Sequence, residues 1–179
     1  MFTGSMGEES WRTLLRCPAE GGELDGPADV GRMLGEWTGE LVCRACGAAY
    51  PVEHGIARFV DVTATTMLDH PAKRDEMVAR DRAASAYEKR FSATRNAIEL
   101  VPCLRALDLD RAAVVAELGC GTGRVTRKYV PRVRSVVAVD FSLASLRELR
   151  AELGSEMRER VLLVPVSYTH LTLPTSDLV

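Results

Sequence analysis

No apolar run in this sequence approaches the roughly 20 residues that crossing a bilayer requires, so the sequence predicts no membrane-embedded part. Nor is there an excess of charge. Lys and Arg number 23 against 25 Asp and Glu, a formal net charge of -2, which offers no general attraction for nucleic acid or an anionic surface. Nucleic acid as a partner is therefore not indicated by charge, though not excluded. The N-terminus, "MFTGSMGEES", has no basic segment followed by an apolar one, so it does not read as a signal peptide. The five cysteines are odd in number and widely spread, which argues against a disulfide framework and for a reducing, cytoplasmic setting. No internal repeat is present.

What remains is an ordinary globular composition, 46% hydrophobic and 27% charged over 179 residues, enough for one domain or a domain plus a small module. Residues 1–10 read as a disordered tail. Residues 11–60 are rich in Gly and Pro, hold Cys17, Cys43 and Cys46, and suit short strands and turns. Residues 61–73 read as a polar linker. From Arg74 to Leu109 apolar residues such as Met77, Tyr87, Phe91, Ile98, Leu104 and Leu107 recur at helical spacing, with Pro102 expected to break or kink the helix.

The pattern then changes. "AAVVAEL", "SVVAVD" and "RVLLV" are short continuous apolar runs, as expected of strands buried on both faces. Between them lie a glycine turn with a short helix, then "SLASLRELRAEL", a helix with Ser142 as N-cap and Gly154 as C-terminal cap. Strand, helix, strand, helix, strand predicts an α/β fold with a parallel sheet.

"VVAELGCGTGRVTR" places Gly119, Gly121 and Gly123 between the first strand and its helix. Such a loop lets backbone approach a ligand closely. The dinucleotide fingerprint is spaced G-x-G-x-x-G; here the third glycine comes one position early and Arg124 stands where a small residue is needed. Glu117 precedes the loop, unwelcome beside a pyrophosphate and helpful beside a cation. Read without a ligand, the glycines make a tight turn, Asp140 is an acid before a helix, and Cys120 is a small buried filler with no histidine partner to make it a nucleophile.

"ELGCGTG" and "VVAVDFS" resemble the first two motifs of class I S-adenosylmethionine-dependent methyltransferases, over about Tyr87 to Val164. The resemblance implies the first half of a Rossmann-like parallel sheet, strands 3-2-1 of a seven-stranded fold, spanning residues 74–164. It implies that Gly119 and Gly121 let the backbone pass the methionine part of S-adenosylmethionine, that Cys120 and Gly123 belong to the same cofactor-binding loop, and that Glu117 helps hold the cofactor's amino and sulfonium end. Asp140 would accept both ribose hydroxyls and Phe141 would lie against adenine. Tyr87, on the preceding helix, would cover the cofactor or serve the core. The implied activity is methyl transfer to an unknown acceptor: an RNA base, a quinone-type ring or a small metabolite. A nicotinamide-dependent oxidoreductase and a non-enzymatic adaptor activating a partner methyltransferase are the alternatives.

"RCPAEGGEL" and "VCRACGAAYPVEHGIARFV" resemble the zinc-ribbon-like module that partners or precedes some methyltransferases. Cys43 and Cys46 keep the C-x-x-C spacing, but Glu20 stands where the other pair needs its second cysteine. Zinc accepts carboxylate, so Cys17, Glu20, Cys43 and Cys46 form a candidate ligand set; the alternative is a ribbon without metal. His54 reads as a turn residue. Residues 165–179, "PVSYTHLTLPTSDLV", resemble a translated sequencing-library adapter and are expected to be non-native. On that reading the chain stops before the catalytic half, leaving it inactive, with one bare apolar sheet face and a free hydrophobic edge.

Overall fold

The computed structural model describes residues 15–26, 35–59, 71–87 and 91–166; the side chains of residues 71–74, 76, 77, 85 and 87 fall outside that description. The segments read as a disordered tail and most of the linker and adapter-like tail lie outside the described residues.

Four short strands come first: β1 (Leu24–Asp25), β2 (Gly39–Cys43), β3 (Ala49–Glu53) and β4 (Ile56–Ala57). They form an antiparallel meander. His54 (φ 50°) and Gly55 (φ 74°) make its tight β3–β4 turn, a two-residue connection that demands positive φ at both positions. Two helices follow, α1 (Pro71–Tyr87) and α2 (Ala93–Ala106). Pro102 lies inside α2 and does not divide the helical region. The division falls before Ser92, whose side chain accepts from the Arg95 amide and caps α2.

The α/β pattern then unfolds as expected: β5 (Val114–Leu118), α3 (Thr126–Tyr129), β6 (Ser135–Asp140), α4 (Leu143–Glu152), α5 (Ser155–Arg158) and β7 (Val161–Pro165). Strands β5, β6 and β7 are parallel in the order 7-6-5. Ser142 caps α4 by accepting from the Ser145 amide. Gly154 is no left-handed cap; with φ -61° it starts α5 instead.

The N-terminal meander is not a separate body. Strand β4 pairs in parallel with β7, Ile56 opposite Leu163, and the Leu163 amide donates to the Gly55 carbonyl at 2.8 Å. One curled sheet of seven strands results, in the order β1-β2-β3-β4-β7-β6-β5. Arg150 adds a clamp, donating from Nε to the His54 carbonyl at 2.8 Å and pairing with Glu36 at 2.8 Å.

Strand alternation explains both cores. Val136, Ala138, Val161 and Leu163 face Tyr129, Val130, Leu146, Leu149 and Leu153. Both crossover helices thus sit on one face, as right-handed connections require. Val137, Val139, Leu162 and Val164 point the other way and share a core with Leu15, Leu24, Leu41, Val52 and Ala57. The face expected to be bare is therefore covered over β6 and β7, because the sheet curls its own N-terminal strands across it. Strand β5 differs. It is the end strand of the sheet, Leu118 is 48% exposed, and Ala116 is exposed as well. The sequence run "AAVVAEL" thus belongs to an edge strand open on its outer face, not one buried on both sides.

Leu41 and Leu162 are both fully buried in this shared core. Truncating either to Ala is expected to cost about 2–5 kcal/mol and to shift the same transition in chemical denaturation followed by far-UV circular dichroism and tryptophan fluorescence. Two separable transitions, one per variant, would show that the meander and the parallel strands unfold independently.

Candidate functional site

The C-terminal ends of β5 and β6 meet at the glycine loop. A buried carboxylate must be hydrogen-bonded or shed its charge, and Asp140, 6% exposed, is doubly bonded. Its Oδ2 accepts from the Gly121 amide at 2.8 Å and its Oδ1 from the Ser142 amide at 2.9 Å. The Gly119 and Cys120 amides both donate to the Val139 carbonyl, and the Gly123 amide to the Cys120 carbonyl. These loop amides are thus engaged within the protein, by β6 and by the loop itself.

Glu117 is held from α3, its Oε2 accepting from Thr126 Oγ1 at 2.6 Å and Tyr129 Oη at 2.7 Å. Both bonds fall on the same carboxylate oxygen. Burial first, then the Glu117 charge and hydrogen bond, drives the Tyr129 hydroxyl far above its usual range. Burial, with the Asp140 and Glu117 charges, does the same to the Cys120 thiol. Cys120 is thus a protonated packing residue and no nucleophile.

Two glycines of the loop do different work. Gly121 has φ +55°, and a Cβ there would meet nothing within 4 Å. Gly123 has φ +81°, and its missing Cβ makes room for the Leu149 side chain of α4.

Helix α1 crosses this end of the sheet. Asp81 accepts from Ser142 Oγ, and the Arg80 guanidinium lies 5.3 Å from the centre of the Phe141 ring. Tyr87 ends α1, and its side chain lies outside the described residues. Helix α2 is tied to the loop by Arg124, which donates to Asn96 Oδ1 at 2.8 Å and Glu99 Oε2 at 2.6 Å. The same guanidinium stacks on Phe91 at 4.0 Å, and Arg95 lies 4.9 Å from the same ring. Hydrogen bonds from Arg95 and Arg124 hold the Glu99 carboxyl below its usual range. Sequence reasoning missed these tethers, Arg80, Asp81, Asn96 and Glu99. Arg124 was visible as the residue that spoiled the dinucleotide pattern, and its size is what lets it reach α2.

A second constellation lies in the meander. Sγ atoms of Cys17, Cys43 and Cys46 all fall within 4.8 Å of one another, and Cys17 and Cys46 are 3.7 Å apart. Zinc–sulfur bonds of about 2.3 Å in a tetrahedron put sulfurs about 3.8 Å apart, so the three thiols fit a zinc ribbon. All five cysteines of the chain are free. The Tyr50 hydroxyl, 3.0 Å from Cys17 Sγ, and the Glu20 and Ala19 amides pull the Cys17 thiol down to about 6. Cys46 gains from the Ala48 amide, but the neighbouring Cys43 and Cys17 sulfurs leave it raised. Glu20 is exposed, and its carboxylate lies outside the group of gathered donors. No described helix is long and apolar enough to cross a membrane.

Residues 115–179 match the family model described as a methyltransferase domain; residues 13–55 match that of Trm112p-like proteins. The first match runs on through residues 167–179, which lie outside the described residues. No curated protein matches the chain. Among solved structures, the chain resembles one titled as a DhpI–S-adenosylhomocysteine complex, at 23% identity and a TM-score of 0.43, covering 52% of this chain and 44% of that one. It also resembles Haemonchus contortus phosphoethanolamine N-methyltransferase 1, in complex with phosphoethanolamine and S-adenosylhomocysteine, at 17% identity and a TM-score of 0.36. That match covers 54% of this chain and 22% of that one. The chain thus spans less than half the length of either.

The two glycines give a paired test. Gly121→Ala is expected to cost only the left-handed strain of about 1–2 kcal/mol. Gly123→Ala adds a collision with Leu149 and is expected to cost about 2–5 kcal/mol, strain and overpacking together. Equal losses in chemical denaturation would remove the Leu149 contact as the reason for Gly123.

Proposed function

We propose that this chain, which joins a Trm112p-like segment to part of a methyltransferase domain, binds S-adenosylmethionine at the glycine loop and serves methyl transfer to an acceptor yet to be identified. The observation that carries this reading is the pair of carboxylates, Glu117 and Asp140, flanking a loop whose amides are already engaged. A dinucleotide needs free amides for its pyrophosphate; a ligand with an ammonium, a sulfonium and ribose hydroxyls needs acceptors. Asp140 keeps lone pairs beyond the two amides it binds, and a carboxylate can accept bidentately. Ribose hydroxyls are their natural donors. Glu117 Oε1 suits the ammonium, the open space at Gly121 suits the backbone's close approach, and the Phe141 ring offers a face for adenine. When bound, S-adenosylmethionine supplies a methyl group on a positively charged sulfur. The protein's share is alignment of that donor with the acceptor.

The module has a part in this reading. Its strand β4 occupies the β7 edge, and its apolar residues fill the sheet face opposite the helices. It therefore acts within its own chain, as a cover and edge strand for the cofactor-binding sheet.

Calorimetric titration of the full chain tests the reading. S-adenosylhomocysteine is expected to bind and NADH is not. Asp140→Ala is expected to weaken S-adenosylhomocysteine by about 1–3 kcal/mol, the cost of losing a charged hydrogen-bond partner. NADH binding without S-adenosylhomocysteine binding would overturn it, and unchanged affinity in Asp140→Ala would remove that carboxylate from the site.

A further inference from the structure

The turns that carry the thiols are copies of one another. In the first, the Cys17 amide donates to the Gly22 carbonyl at 2.9 Å and the Gly21 amide to the Cys17 carbonyl at 2.8 Å. In the second, the Cys43 amide donates to the Ala48 carbonyl at 2.9 Å and the Gly47 amide to the Cys43 carbonyl at 2.9 Å. Gly21 and Gly47 are both left-handed, with φ 67° and 72°. Each turn thus opens with a cysteine, runs through three residues, and closes on a glycine that reverses the chain. The residue just before that glycine is Cys46 in the second turn. In the first it is Glu20.

We propose that Glu20 is the fourth ligand of this site, so that the module holds zinc through three thiolates and one carboxylate. The inference rests on the reading that the thiol cluster is a metal centre, and it assigns the position that the thiols leave open. Backbone position argues for it: the turn already presents residue 20 to the cluster as the matching turn presents Cys46, so only side-chain rotation is required. Reach permits it, because the Glu20 carboxylate lies two bonds farther from its Cα than a thiol and meets the vertex by folding back through gauche torsions. Charge favours it, since a carboxylate keeps the net charge of a four-thiolate centre and a water molecule would not. Exposure of Glu20 leaves it free to move without uncovering the core. The Tyr50 hydroxyl, bonded to Cys17 Sγ, is then a hydrogen-bond donor to a ligand and not a ligand itself. The nearby Arg44 is engaged elsewhere, paired with Glu23 and Asp25, and does not compete for Glu20.

The test uses the full chain loaded with zinc or, for spectroscopy, cobalt(II). Wild type is expected to hold about one metal per chain in tetrahedral geometry. Glu20→Ala is expected to lose zinc to a competing chelator at least tenfold more readily, roughly the least that removing even an outer partner costs. Glu20→Cys is expected to bind more tightly and to raise the thiolate-to-cobalt charge-transfer band by about one third, one thiolate added to three. Tyr50→Phe is expected to leave that band's intensity unchanged. Should Glu20→Ala fail to fold, the Glu20→Cys spectrum decides alone. A wild type that takes up neither metal would overturn the metal centre itself. A wild type that binds metal, with Glu20→Ala equal in affinity and Glu20→Cys equal in charge-transfer intensity, would overturn the assignment of Glu20 only.

Discussion

A buried carboxylate at the end of β6 is the constraint around which the site is arranged. A carboxylate buried there needs hydrogen-bond donors, and those that Asp140 finds are the Gly121 amide of the loop and the Ser142 amide at the start of α4. One side chain therefore fixes the loop that follows β5 and the helix that follows β6. Ser142 extends the chain of bonds to Asp81 on α1. The loop closes against α2 through Arg124. The same bonds that satisfy Asp140 consume a loop amide that a phosphate would need. On the proposed reading, structure and ligand preference have a common cause: a loop wired to carboxylates suits a ligand with positive charge and hydroxyl donors.

The meander solves a different problem for the same sheet. Strands β6 and β7 are buried along their full length, and helices cover only one of their faces. Folding the N-terminal strands across the other face supplies Leu24, Leu41 and Val52 as partners for Val137, Val139, Leu162 and Val164. Pairing β4 with β7 also removes an exposed edge, the feature that invites association between sheets. Because Cys17 and Cys43 belong to this same core, a metal held by the thiols would brace the strands that cover the sheet.

Much of this was legible in the residues, and the misses share a cause. The parallel sheet followed from alternating apolar runs and helices and the cap at Ser142 from its side chain, while the strand order and the gathering of Cys17, Cys43 and Cys46 followed from the two family resemblances. The β3–β4 turn at His54 was also readable. Tertiary contacts were not. "AAVVAEL" has the composition of an interior strand, yet its place at the end of the sheet exposes Leu118. Pro102 suggested a break, but the Ser92 cap sets where α2 begins. The bare face disappeared because residues far apart in sequence pack together, something no local pattern records. Arg80, Asp81, Asn96 and Glu99 had no motif to announce them; they matter by where α1 and α2 dock.

Hydrogen–deuterium exchange of the full chain, with and without S-adenosylhomocysteine, reads the central claim amide by amide. The expected result is ligand-induced protection confined to the segments around Glu117 to Arg124 and Asp140 to Ser142, with none from NADH. Protection elsewhere with this loop unchanged, or protection of the loop by NADH alone, would contradict it.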